Sequence, residues 1–302
     1  MDKSNTAGEK RTVSVKDIVC LLAYPAKHSL SPLIHNTAFE KTALPFFYTA
    51  FDVPPNSLQN AILGVRALGI KGAGVSMPHK QNIIRYLDEI SDTSELTGAV
   101  NTVNHLDGRL IGHNTDGLGY VGALRSRGVE IKGAKLVVAG SGGAGKAIIA
   151  QAALSGAKEI AVFNRRESPN FSEAVELATR LKGCLHTKIA VCDIGDKQRF
   201  YGEISSADVF TNATSVGMKP NENSSVIAER SVFHKGLIVF DSVYNPIRTK
   251  LLEMAESAGC VTVNGVEMLL YQGAEQFQIW TELSFPMDFV KSRIYPLLEG
   301  GR

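Results

Sequence analysis

The residues Val137-Val138-Ala139-Gly140-Ser141-Gly142-Gly143-Ala144-Gly145-Lys146-Ala147-Ile148 constrain this chain more than any other stretch. An apolar run enters a Gly-x-Gly-x-x-Gly turn and leaves on a helical pattern. That order is the fingerprint of the first strand-to-helix turn of a dinucleotide-binding unit. Gly140 permits the tight strand exit, Gly142 lets the backbone approach a pyrophosphate, and Gly145 lets helix and strand pack closely. The helix then offers unpaired N–H groups and the positive end of its dipole to phosphate. Gly140, Ser141, Gly142, Gly143 and Ala144 are therefore candidate cofactor contacts. A glycine turn alone is a weak signal; between a buried strand and a helix over residues 146–156 it is a strong one. The turn lies near the middle of 302 residues, so about half the chain precedes it and needs a task of its own.

That first half reads as strands over residues 18–24, 46–53 and 70–76, alternating with helices from Pro32 to Lys41, from residue 56 or 57 to Gly69, and after Lys80. Such a β-α-β-α-β-α order predicts an open α/β layer. Asp107-Gly108 between two short apolar runs, 99–105 and 109–113, predicts a hairpin. The hairpin brings Asn101 towards Asn114-Thr115-Asp116-Gly117, and a helix over 116–127 stops at Gly128. From residue 135 the chain reads as a regular wound array, with strands at 135–139, 159–163, 188–191, 208–212, 237–240 and 261–263 and helices at 171–181 and 249–258. Alternation of this kind implies a parallel sheet with ligands outside the carboxyl ends of its strands. The tail from Gly265 is mostly helical and apolar enough to pack back across the first half. The expected organisation is two α/β domains with a cleft between them: 17–115 joined by helices in 266–302, and a Rossmann unit over 116–265.

Composition excludes several classes. A net charge of +2 without a basic block gives no argument for nucleic acid or an anionic membrane surface. No apolar stretch approaches a membrane span. Residues 1–16 are polar, lack the apolar segment of a secretion signal, and read as a flexible tail. Cys20, Cys184, Cys192 and Cys260 are far apart and without metal spacing, so they read as reduced thiols of a cytoplasmic protein. No metal is expected.

After the second strand of the wound array an NAD enzyme usually carries an acid that bonds the ribose hydroxyls. Here the residues are Asn164-Arg165-Arg166-Glu167. Two guanidiniums suit an extra 2′-phosphate and favour NADP. Glu167 suits the ribose hydroxyl and repels that phosphate. The signals conflict, and use of either NAD or NADP is expected. Lys80 and Asp116 are the candidate catalytic pair. Hydride transfer between an alcohol and a nicotinamide must also move the hydroxyl proton, and a positioned Lys or Asp can carry it. Side by side they form one coupled site rather than a lone base. Ser29 has no evident structural task, whereas Ser31 is either a helix cap or a ligand contact. Tyr48 reads first as a core aromatic, Asn101 either satisfies the hairpin backbone or reaches the cleft, and His79 reads as surface.

At Ser29-Leu30-Ser31-Pro32, Val75-Ser76-Met77-Pro78-His79-Lys80, Gly98-Ala99-Val100-Asn101-Thr102, Asn114-Thr115-Asp116-Gly117 and Asn164-Arg165-Arg166 the chain resembles the shikimate dehydrogenase family. The likeness runs from about Ile18 to about Leu298, and Gly72-Ala73-Gly74-Val75, Val216-Gly217-Met218-Lys219-Pro220 and Gln272-Gly273-Ala274-Glu275-Gln276-Phe277 bring it nearest to the quinate/shikimate branch. The resemblance implies that Ser29 and Ser31 hold a substrate carboxylate, that Asn101 and Gln272 bond ring hydroxyls, that Ser76, where most members have threonine, keeps a substrate-binding hydroxyl, and that Lys80 and Asp116 are catalytic. It implies that Tyr244 reaches the cleft beside the nicotinamide, and that Ser215, Ser242, Val243, Asn245 and Gly265 line the cofactor side. The substrate implied is a small polyol carboxylate, turned over by a monomer or a homodimer. Gly74 departs from the asparagine of many members, which leaves the choice between quinate and shikimate open. Other readings are a strict shikimate dehydrogenase, a dehydrogenase for an amino acid or a folate-like substrate, and a non-catalytic metabolite-binding protein.

Overall fold

The computed structural model describes residues 16–182 and 186–300; Cys184 and residues 1–15 of the expected tail lie outside them. The chain opens with β1 (Asp17–Ala23), α1 (Ser31–Thr42), β2 (Phe46–Asp52), α2 (Leu58–Ala67) and β3 (Gly72–Val75). It continues through β4 (Glu89–Ile90), α3 (Asp92–Thr97) and the hairpin β5 (Thr102–Leu106) and β6 (Arg109–His113). These strands form one mixed sheet in the order β2-β1-β3-β5-β6-β4. β1, β2 and β3 are parallel and β5 runs antiparallel to both β3 and β6. The central strand β1 is buried on both faces, which is why it reads as a continuous apolar run rather than an alternating one.

The second sheet begins after α4 (Asp116–Arg125). It comprises β7 (Lys135–Ala139), α5 (Gly143–Leu154), β8 (Glu159–Asn164), α6 (Pro169–Lys182), β9 (Lys188–Asp193), α7 (Lys197–Ile204), β10 (Val209–Asn212), β11 (Ile238–Asp241), α8 (Lys250–Ser257) and β12 (Val261–Val263). All its pairings are parallel, in the order β12-β11-β10-β7-β8-β9, which is the doubly wound Rossmann order. The order reverses between β7 and β10, and a ligand-binding crevice opens there.

The expected helix after Lys80 does not form. Residues 77–83 run as turns, closed by His79 N–H on Ser76 O (2.9 Å) and Ile83 N–H on His79 O (3.0 Å), and lead into a single 3-10 turn at Ile84–Tyr86. Of the apolar residues here only Ile83 is fully buried, so a longer helix would have no apolar face to bury. The first sheet joins the expected parallel strands β1, β2 and β3 to the expected hairpin, and the short strand β4 adds an edge beyond β6. His79 is not on the surface: it is 1% exposed and its Nε2 lies 2.7 Å from Val53 O, tying the Lys80 turn to the end of β2.

The tail forms α9 (Gly265–Thr281) and α10 (Met287–Gly300). Val266, Leu270, Phe277, Trp280, Val290 and Ile294 complete the core of the first sheet, not the second. α9 also lies along α4. Gly119 allows the approach, since a side-chain carbon there would meet the Gln272 amide nitrogen at 2.7 Å.

Candidate active site

A cleft of about 240 Å³ opens between the two sheets. Ser29, Ser31, Tyr48, Gly74, Ser76, Lys80, Asn101, Asp116 and Gln272 line one side. Ala144, Ser242, Tyr244 and Gly265 line the other. Residues spread over 240 positions of sequence thus meet around one void. The distribution follows from topology: the first group sits at strand ends of the first sheet, on α1, on α4 and on α9, and the second at strand ends of the second sheet.

Lys80 Nζ donates to Asp116 Oδ2 at 2.5 Å, with both side chains mostly shielded. Asp116 opens α4, where the helix dipole favours a carboxylate. Its other oxygen accepts from Asn101 Nδ2 at 2.8 Å. Asn101 Oδ1 in turn accepts from the Thr115 N–H at 2.8 Å. Asn101 therefore does satisfy local backbone, and its amide is also built into the catalytic pair. Gln272 is anchored by its own amide on Leu269 O (3.0 Å), and its Oε1 lies 3.4 Å from Asn101 Nδ2.

Ser31 does not cap α1: the capping position is Leu30, with no side-chain cap bond. The Ser31 N–H instead bonds Ser29 Oγ at 3.2 Å, and Ser29 Oγ–H bonds Ser31 Oγ at 3.2 Å. Two hydroxyls are thereby set side by side at the mouth of a helix, an arrangement suited to a carboxylate.

Four functional neighbours were less legible. Tyr48 is buried as expected, yet it also lines the cleft. Its ring stacks on His35 with centroids 4.6 Å apart, its hydroxyl has no hydrogen-bond partner, and Asn36 clamps both of its main-chain groups. A side-chain carbon on Gly74 would lie 2.5 Å from that hydroxyl. Gln276, one turn beyond Gln272 on the same face of α9, bonds Asn101 O and Thr102 Oγ1 and meets His35 Nε2 at 3.1 Å. Burial drives the His35 pKa down to about 4. The four-residue spacing of the two glutamines is the signal that could have found Gln276.

The glycine turn fits a dinucleotide pyrophosphate. Gly140 has φ +96°, and a side-chain carbon on Gly145 would collide with the Gly140 carbonyl. α5 starts without a side-chain cap, so its first N–H groups are available to an anion. The Ser141 hydroxyl is already engaged, donating to Asn170 O (2.9 Å) and accepting from Asn164 Nδ2 (2.6 Å). Asn164 thus ties the turn to the end of β8. Arg165, Arg166 and Glu167 are exposed beyond it, and the Arg166 guanidinium lies over Phe171 at 5.7 Å. Ser215 is exposed on the loop after β10. Val243 O accepts from the Gly265 N–H (3.3 Å) and Asn245 O from the Lys219 N–H (3.3 Å), joining the loop after β11 to α9 and to the loop after β10.

Comparison with known proteins places the chain in a family. The model of the shikimate dehydrogenase substrate binding domain matches residues 21–103, and that of the shikimate 5'-dehydrogenase C-terminal domain matches residues 265–291. A quinate/shikimate dehydrogenase of Escherichia coli O139:H28 is 47% identical over 275 residues, 91% of this chain and 95% of that protein. The chain belongs to the shikimate dehydrogenase family. Among solved family structures, the shikimate 5-dehydrogenase of Listeria monocytogenes, in complex with shikimate and NAD, superposes with a TM-score of 0.91 at 43% identity, covering 95% of this chain and 99% of that one. A shikimate dehydrogenase in complex with NADP+ superposes with a TM-score of 0.84 at 35% identity, covering 94% and 96%.

Proposed function

We propose that the protein is an NAD(P)-dependent oxidoreductase that interconverts shikimate with 3-dehydroshikimate and quinate with 3-dehydroquinate. The observation that carries this reading is the Lys80–Asp116 pair, locked by Asn101 and opening onto the same cleft as the glycine turn. Residues 17–115 with 266–302 act as the substrate unit, and 116–265 as the cofactor unit. Ser29 and Ser31 take the substrate carboxylate; Ser76, Asn101 and Gln272 orient ring hydroxyls. Tyr244, 40% exposed, covers the reacting face from the cofactor side. When bound, NAD or NADP supplies the hydride acceptor. The reacting hydroxyl would pass its proton to Lys80 Nζ while Nζ passes one to Asp116 Oδ2, so the pair ends with one proton more, an ammonium beside a neutral carboxylic acid, and returns to the ion pair when that proton leaves to water. Arg165 favours NADP by reading a 2′-phosphate, and Glu167 favours NAD, so both are used.

The buried thiols Cys20, Cys192 and Cys260 are free and suit a reducing compartment, which supports action in the cytoplasm. No helix among the described residues is long and apolar enough to cross a membrane.

Steady-state oxidation of shikimate and of quinate, each with NAD and with NADP, tests the reading. A kcat/KM for quinate within about tenfold of that for shikimate supports the dual activity. Quinate turnover far below that leaves a dedicated shikimate dehydrogenase, and no turnover in any pairing overturns the shikimate/quinate reading in favour of another hydroxy acid or a binding protein.

A further inference from the structure

Three carboxylates are buried among the described residues: Asp116, Asp241 and Glu267. Two have a cation, Lys80 on Asp116 at 2.5 Å and Lys291 on Glu267 at 2.6 Å. Asp241 ends β11 and is 0% exposed. It receives only neutral donors: Asn212 Nδ2 at 2.9 Å and the Val243 N–H at 3.1 Å on Oδ1, and the Thr249 hydroxyl at 2.6 Å on Oδ2. No ion pair among the described residues includes it.

Hydrogen bonding alone does not require a charge at this point. An asparagine would accept from Asn212 and Val243 in the same way and donate to the Thr249 oxygen. A buried carboxylate without a counter-ion disfavours folding, so its charge calls for a compensating cation from elsewhere. Burial raises the Asp241 pKa, to about 6, and the three donors on its oxygens work against that rise by favouring the charged form.

Its position indicates which cation. A dinucleotide lies across the crevice at the β7/β10 reversal. The end of β8, with Asn164 and Arg165, belongs to the adenosine half, so the nicotinamide half belongs over the ends of β10 and β11. Those ends are Asn212 and Asp241, and the next residues, Ser242 and Tyr244, line the cleft. The oxidised nicotinamide ring is a cation and the reduced ring is neutral. We propose that Asp241 is a buried counter-charge for the oxidised nicotinamide and biases the cleft towards the oxidised over the reduced cofactor. It acts through the field beneath the Ser242–Tyr244 backbone, without touching the ring, and is an electrostatic positioning residue. In a low-dielectric wall such a field is weakly screened. The inference rests on the NAD(P) reading of the cleft given above.

The test is the dissociation constant of oxidised and of reduced cofactor, measured calorimetrically without substrate on the full chain. Asp241→Asn is expected to weaken the oxidised form by about fivefold or more and the reduced form by less than about twofold. Thr249→Ser keeps both the hydroxyl on Asp241 Oδ2 and the acceptor for the Leu252 N–H, so the charge stays in place; it is expected to leave the ratio of the two dissociation constants unchanged. Equal losses for both forms in Asp241→Asn, or no loss, would overturn the proposal. Where that variant does not fold, Asp241→Ser takes its place, and failure of both to fold would equally overturn it by showing that the carboxylate serves only to join the strand ends. A wild-type chain that binds neither form would instead refute the cofactor reading itself.

Discussion

Gly74→Ala probes the pocket wall where a single added carbon has nowhere to go. The new Cβ would lie 2.5 Å from Tyr48 Oη, with Leu21 Cδ1 at 3.6 Å and Cys20 O at 3.7 Å. Ordinary contact needs roughly 1 Å more than the first of these. The tyrosine cannot swing away freely. Its ring is one of a three-ring cluster with His35, stacked at 4.6 Å, and Trp280 at 5.9 Å, and Asn36 holds its main chain at both polar groups. Overpacking at such a site costs about 1–3 kcal/mol. For a chain of 302 residues about 2 kcal/mol corresponds to a fall in melting temperature of roughly 3 °C. Thermal unfolding followed by circular dichroism reads the loss directly. KM for the polyol carboxylate should rise in the same variant, because the displaced hydroxyl lines the cleft. Tyr48→Phe removes the clashing oxygen, so Gly74→Ala should cost less than about 0.5 kcal/mol in that background. Equal costs in the two backgrounds would refute the steric argument.

Lys80→Ala should lower kcat by about 10³-fold with a modest change in KM, as expected for loss of a proton-transfer group; unchanged turnover would remove Lys80 from the chemistry. Arg165→Ala should weaken NADP on the order of tenfold and NAD much less, by loss of a charge-assisted hydrogen bond, and competition binding of the two cofactors measures the ratio. His35 supplies a pH prediction. Its pKa falls from 6.5 to about 4 on folding because the ring is buried, so the unfolded chain binds the proton more readily. Its contribution is complete above about pH 6.5 and is lost as the pH falls towards 4, at about 1 kcal/mol per pH unit. Urea unfolding at pH 7 and pH 4.5, for wild type and His35→Phe, should show that slope in the first and not in the second.

The parts of the molecule legible in the sequence are those fixed by local chemistry. Gly140 and Gly145 can only be glycine where they stand, and Asp107-Gly108 closes its hairpin with positive φ at both residues. The wound array from Lys135 was legible because its inner strands β7, β8, β10 and β11 are buried along nearly their whole length and read as continuous apolar runs, whereas α7 was not read. What was missed depends on contacts made at a distance. His79 is buried because a carbonyl at Val53 waits for it, and nothing in the surrounding residues announces that partner. The Lys80 segment looked helical, but its carbonyl is spent on the Val100 N–H (2.7 Å). The short helices α3 and α7 do carry readable caps, Ser91 and Asp196. In the site, Lys80, Asp116 and Asn101 stood in recognisable motifs, whereas the His35–Gln276 contact joins residues 241 positions apart and has no local signature.

The placement of α9 sets an order of events on the ribosome. The first sheet is made first, yet Phe277, Trp280, Val290 and Ile294 of its core, and Gln272 of its pocket, are made last. A nascent chain released up to β12 holds every strand of the second sheet. On the function proposed above, that chain has its glycine turn complete while the cleft still lacks Gln272. The first sheet therefore waits, with an open apolar face, through the synthesis of the whole second sheet. Chaperone demand should peak in that interval and fall once the last two helices emerge.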